Sequence, residues 1–106
     1  MMSRTKSTTP EAFNLMSERV TEATGILKAM ASDTRLKVLC ALNDSEMPVN
    51  QLAELTNQSP SAVSQHLAKL RAAGLVESRR DAQTIYYRCS GGIGSELVKT
   101  LCDFYR

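Results

Sequence analysis

At Gly74 the apolar pattern of this chain switches from helical spacing to the two-residue alternation of a strand, and that switch constrains the fold most. Before it, Val63, Leu67 and Leu70 stand at i, i+4 and i+7, which is one face of a helix. That helix is expected over 59–73. Ser59 offers a side-chain oxygen to the free backbone N–H groups at its start, and Pro60 at the first helical position forfeits no hydrogen bond. Gly74 stops it, because glycine accepts the left-handed backbone that commonly follows a last turn. Beyond it, Leu75–Arg79 and Thr84–Cys89 read as two strands joined through Arg80-Asp81-Ala82-Gln83.

Upstream, Val49–Leu55 reads as a short helix with Leu52, Ala53 and Leu55 inward, and the polar turn Thr56-Asn57-Gln58 separates it from the next. Ser32-Asp33 is a helix start for Thr34–Leu42, which carries Leu36, Leu39, Cys40 and Leu42 and closes at Asn43-Asp44-Ser45. Pro10 opens the longest pattern. Phe13, Met16, Val20, Ala23, Leu27 and Met30 recur at alternating steps of three and four, a heptad-like stripe. So small a core does not need so long a helix, so the stripe is expected to meet a partner chain. A last helix from about Gly94 to Tyr105 carries Leu97, Val98, Leu101 and Phe104. The expected fold is mainly α with a small β-hairpin wing, in the order α-α-α-α-β-β-α: a winged helix-turn-helix. Residues 1–9 are expected to be a disordered tail, and 10–106 one DNA-binding and sensing domain.

Several function classes fall away on composition. A chain of 106 residues builds one modest core and no two-lobed catalytic cleft. Its 42% hydrophobic and 23% charged residues are ordinary for a globular protein. No apolar run is long enough for a membrane span, and the polar N-terminus lacks a signal-peptide core, so a cytoplasmic location is expected. Cys40, Cys89 and Cys102 form no disulfide framework and no C-x-x-C, and His66 is the single histidine, so no metal site, cofactor or enzyme active site is expected. Charge is uneven: residues 1–58 hold six Lys/Arg against seven Asp/Glu, residues 59–106 seven against four. The second half is where a polyanion would bind.

In a winged helix-turn-helix the 59–73 helix is the recognition helix. Its outward face is Ser61, Ser64, Gln65, Ala68 and Lys69. Gln65 can pair two ways with adenine, and Ser61 and Ser64 can reach phosphate or base edges. Ser59 marks a helix N-terminus, which favours a phosphate. His66 is expected as a structural or phosphate-contacting residue, and Lys69 as a further cation on the DNA face. Arg79, Arg80 and Gln83 sit toward the hairpin tip, where a wing meets the DNA backbone or minor groove.

Two stretches carry a family resemblance. Leu27-Lys28-Ala29-Met30-Ala31-Ser32-Asp33-Thr34-Arg35-Leu36, and the run from Ser61-Ala62-Val63-Ser64-Gln65-His66-Leu67 to Arg71-Ala72-Ala73-Gly74-Leu75-Val76, resemble the ArsR/SmtB family of bacterial repressors. The resemblance implies a homodimer through the first and last helices, a near-palindromic double-stranded operator, and release on sensing an inducer. The helix before the recognition helix lacks the C-x-C of arsenic-sensing members, and the last helix lacks the histidine of zinc-sensing ones. What remains is Cys40 and Cys102. They resemble the dithiol branch typified by the sulfide-quinone reductase repressor, the biofilm-growth-associated repressor and the haemolysin-activator relatives. The Asp81-Ala82-Gln83-Thr84-Ile85-Tyr86-Tyr87 wing strengthens that match. In that branch two such cysteines are bridged by reactive sulfur species or oxidants; Cys89 is outside the pair.

The residues alone leave Cys40 open between a buried small hydrophobe and a reactive thiol. Lys37 and Lys99, each three residues before a cysteine, are expected to lower the thiol pKa of Cys40 and Cys102. Competing readings are a metal-responsive repressor, a thiol-dependent enzyme, and a winged-helix interaction module that never touches DNA.

Overall fold

The computed structural model describes residues 10–106, so the expected tail at 1–9 lies outside the described residues. Five helices and three strands follow in the order α1 (Pro10–Met30), α2 (Asp33–Ala41), β1 (Met47–Pro48), α3 (Val49–Thr56), α4 (Pro60–Ala72), β2 (Val76–Asp81), β3 (Thr84–Cys89) and α5 (Gly92–Phe104). No helix among the described residues is long and apolar enough to cross a membrane.

Local chemistry sets most boundaries. The Ser32 hydroxyl accepts from the Arg35 backbone N–H at 3.2 Å, and Ser59 accepts from that of Ala62 at 3.1 Å, so both helix starts are capped. Asn57 ends α3 in the left-handed region (φ 55°), and Gly74 takes φ 76° after α4. Across the α3–α4 turn the helices close on a shared core.

That core is Val38, Leu39 and Leu42 from the α2 region, Leu52 from α3, Val63, Leu67 and Leu70 from α4, Leu75 and Val76 at the root of the wing, and Val98 from α5. Each such side chain taken out of water contributes about 1.5–3 kcal/mol before entropy is charged against it. Gly94 in α5 lies against the Leu75 side chain so closely that a Cβ there would collide with it. The glycine lets the last helix approach the root of the wing.

The sheet departs from the expected hairpin in two ways. A third strand, β1, pairs antiparallel with β3, Met47 opposite Tyr87 and Pro48 opposite Tyr86, giving the order β1-β3-β2. The β2–β3 connection is also tighter than the expected Arg80-Asp81-Ala82-Gln83 link. Arg80 pairs with Ile85 and Asp81 with Thr84, leaving only Ala82 and Gln83 in the turn, with Ala82 at φ 58°. The last helix begins at Gly92 rather than Gly94.

Helix α1 buries only Met30 fully. Phe13 is 69% exposed and Leu27 53%, with Met16 and Val20 between them also outside. The groove between this face and α5, lined by Met16, Ala23, Ile26, Leu27, Ile93 and Leu97 with Arg19 and Glu22 beside them, is mostly apolar. Among the described residues, most of the stripe read from the sequence therefore lies uncovered.

Candidate nucleic-acid interface and thiol pair

With Val63, Leu67 and Leu70 buried, α4 turns Ser61, Ser64, Gln65, Ala68 and Lys69 to solvent. Arg71, exposed one turn beyond Ala68, extends the same side. Sequence reasoning passed over it, although its i+7 spacing from Ser64 was visible. Ser59 is committed as the cap of α4, so its oxygen is already an acceptor for backbone N–H.

His66 leaves the outward face. It is half-buried, and its Nδ1 lies 3.3 Å from Nη1 of Arg35 on α2. Burial, then the positive charges of Arg35 and Lys69, holds its pKa below the ordinary histidine value. Arg35 also donates from Nε to the Ala29 carbonyl in the last turn of α1, at 2.5 Å. One guanidinium thus joins α1, α2 and α4.

The two wing arginines differ. Arg79 is clamped by Glu46, from Nε to both carboxylate oxygens at 3.0 and 2.9 Å and from Nη2 at 2.7 Å, and lies 4.7 Å over the Tyr86 ring. The hydrogen bonds from Arg79 in turn hold the Glu46 carboxyl below its usual range. Arg79 is therefore in mid-strand and partnered, not at the tip. Arg80, one residue on, is exposed with its Nη1 3.5 Å from the Ala82 carbonyl, and Gln83 is exposed in the turn itself.

At the other end, Cys102 of α5 and Cys40 of α2 meet. Their Sγ atoms are 2.9 Å apart across 62 positions of sequence, and all three cysteines are free thiols. Cys40 is on the exposed side of α2 and not in the core, where Val38 sits instead. This rules out the buried-hydrophobe reading of Cys40. At Cys40 the expected lowering by Lys37 does not appear. Lys99 gives its ammonium to Asp103 at 2.8 Å, and packing around the Cys40 sulfur, then its contact with Cys102, pushes the Cys40 thiol up to about 11. Cys89, at the end of β3, is half-buried and turns its Sγ to the Leu39 carbonyl at 3.7 Å. Among the described residues no three His, Cys, Asp or Glu side chains converge as a metal cage.

Residues 32–78 match the family model described as bacterial regulatory protein, arsR family. Nodulation protein NolR of Rhizobium meliloti is 49% identical over 83 residues, 78% of this chain and 68% of that one. The transcriptional activator HlyU of Vibrio cholerae is 41% identical over 91% of this chain and 89% of its own. The biofilm growth-associated repressor of Xylella fastidiosa is 33% identical over 85% and 79%. Among solved structures, reduced HlyU from Vibrio cholerae superposes with a TM-score of 0.81 at 41% identity, over 85% of this chain and 95% of that one. The homodimeric winged helix-turn-helix domain of Mb0332 from Mycobacterium bovis gives 0.75 at 26% identity, over 98% and 87%.

Proposed function

The chain belongs to the arsR family of bacterial regulatory proteins, DNA-binding transcriptional regulators with a winged helix-turn-helix, and on that premise we propose that it is a homodimeric repressor released from its operator when Cys40 and Cys102 are bridged. The observation that carries the switch is the 2.9 Å contact between the two sulfurs. A disulfide bond is ~2.05 Å long, so the thiols need close by less than one ångström.

Gln65, Ser61, Ser64 and Lys69 enter the major groove, with Gln65 reading a base and Lys69 a phosphate. The α4 N-terminus at Ser59 faces a phosphate through its backbone. Arg80 and Gln83 carry the wing to the DNA backbone, while Arg79 braces the wing against Glu46. His66 acts through Arg35 as a support of α4. A second copy of the chain covers the α1–α5 groove and sets two α4 helices roughly 34–36 Å apart, one turn of DNA.

The inducer is a sulfane-sulfur compound or oxidant. With a persulfide RSSH, the Cys102 thiolate takes the outer sulfur and expels RS⁻; Cys40, as its thiolate, then attacks the Cys102 Sγ and expels HS⁻. Two cysteine thiols are oxidised and one sulfane sulfur is reduced. The new bond ties α2 to α5, which borders the apolar groove, while Arg35 on the same α2 grips α4. Bridging should lower operator affinity by a coupling energy of ~1–3 kcal/mol. Changing Cys40 or Cys102 to Ser is expected to preserve operator binding in a gel shift and abolish release by persulfide. A Cys40→Ser protein that still lets go on treatment would end the two-thiol mechanism, while leaving the DNA-binding role in place.

A further inference from the structure

One nucleophile is left out of that switch. Cys89 is the last residue of β3, and its sulfur has a neighbour on each of the two helices that carry the sensing pair. On one side it contacts the carbonyl of Leu39, the residue before Cys40. On the other it interacts with the side chain of Ser95 in α5, seven residues before Cys102 and so on the same face two turns away. Cys89 and Cys102 are both partly buried against the hydrophobic core. Cys89 also has its own route to solvent, an open polar cleft of about 580 Å³ lined by Asn43, Ser45, Arg88 and Ser95 among others.

Resting on the reading of Cys40 and Cys102 as the sensing pair, we propose that Cys89 is a second resolving thiol for Cys102, reached through inserted sulfur atoms and therefore used by sulfane-sulfur donors and not by peroxide. A direct disulfide demands close approach of the two residues, which the contact of Cys102 with Cys40 meets. Cys89 faces Leu39 instead, and each sulfur atom added to a bridge lengthens its reach by about one S–S bond, ~2 Å.

The chemistry balances. The Cys102 thiolate takes the outer sulfur of RSSH and releases RS⁻. The resulting persulfide anion takes a second sulfur from another RSSH and again releases RS⁻. The Cys89 thiolate then attacks the middle sulfur of that Cys102 trisulfur chain and expels HS⁻, leaving Cys89–S–Cys102 as a trisulfide. Two thiols are oxidised, one sulfane sulfur is reduced to hydrosulfide, one stays in the bridge, and three protons pass to water. The product ties α5 to the wing instead of to α2.

The sequence makes the test direct, because trypsin places Cys40, Cys89 and Cys102 on three different peptides, cutting after Arg88 and Lys99. Full-length wild-type, Cys40→Ser and Cys40→Ser/Cys89→Ser proteins, matched by circular dichroism, are treated with glutathione persulfide or with hydrogen peroxide and mapped under non-reducing conditions. Wild type tests the sensing pair itself, by the Cys40–Cys102 linkage. Cys40→Ser tests Cys89: the expected product is its peptide joined to the Cys102 peptide with one or more extra sulfur atoms, from persulfide only and absent in the double variant. A Cys40→Ser protein that carries only terminal persulfides on Cys102, or that links equally well with peroxide, overturns the proposal whether or not wild type forms its own bridge.

Discussion

The two ends of the molecule are built by different means. At the wing end, the polar face of α4 is backed by Val63, Leu67 and Leu70, all closed off by residues of the same chain. At the α1 end, Phe13, Met16, Val20 and Leu27 look outward, largely uncovered by the other described residues. One surface is closed by its own chain on folding, and the other leaves its apolar side chains open. On the proposed reading, a DNA-reading surface can be completed locally, whereas a change at the thiol pair reaches the DNA only by altering how two such surfaces are spaced.

The strongest way to break this contrast is to charge the unfinished end. Met16→Glu with Val20→Glu should give monomers by sedimentation while the helical circular dichroism signal persists. Operator affinity should fall about 10²–10⁴-fold, because two linked binding events become one. Retained dimers with unchanged affinity would show that α1 is not the assembly face. Next in size is the finished end itself. Gln65→Ala should cost ~1–3 kcal/mol on the operator and little on random DNA. In the same assay Arg80→Ala should weaken both alike and reduce the salt slope by about 0.9, the share of one phosphate. Unchanged sequence preference in Gln65→Ala would remove α4 from the groove.

The smallest effect sits on the link between the ends. His66 has its pKa lowered by burial and by Arg35 and Lys69, so the unfolded chain binds the proton more readily than the folded one. Stability from this residue is therefore complete above the ordinary histidine pKa of about 6.5 and is lost as pH falls through the lower, folded value. Urea titrations from pH 7 to pH 5 should show that loss in wild type and a shallower one in His66→Asn. Equal slopes would mean that the contact with Arg35 carries no pH-dependent stability.

What could be read from the sequence follows the range of the forces involved. Ser59, Pro60 and Gly74 act on neighbouring backbone, and the boundaries of α4 were legible from them. The wing was legible as a hairpin, but the length of its turn was not, because the two-residue turn holds Ala82 at a positive φ, where glycine or asparagine is the usual signal. Arg79 and Arg80 thus looked like tip residues. The strand Met47–Pro48 was invisible because proline argues against a strand, and only pairing with Tyr86 and Tyr87 creates it. The thiol site was legible as residues but not as chemistry. Spacing suggested that lysines would activate the cysteines, but Lys99 finds Asp103 one turn away on its own helix, and packing decides the proton affinity of Cys40.

The small sheet has a consequence for how this protein avoids the wrong company. One edge strand is two residues long and includes Pro48, which has no N–H to offer a newcomer. The other edge, β2, presents Arg79, Arg80 and Asp81 in succession, so a strand of a second chain would have to be laid beside a row of charges. Neither border is a good template for growth of the sheet. In a crowded cell, where every exposed strand invites aggregation, these edges keep the sheet from templating a second chain, which on the proposed reading leaves the wing clear for DNA.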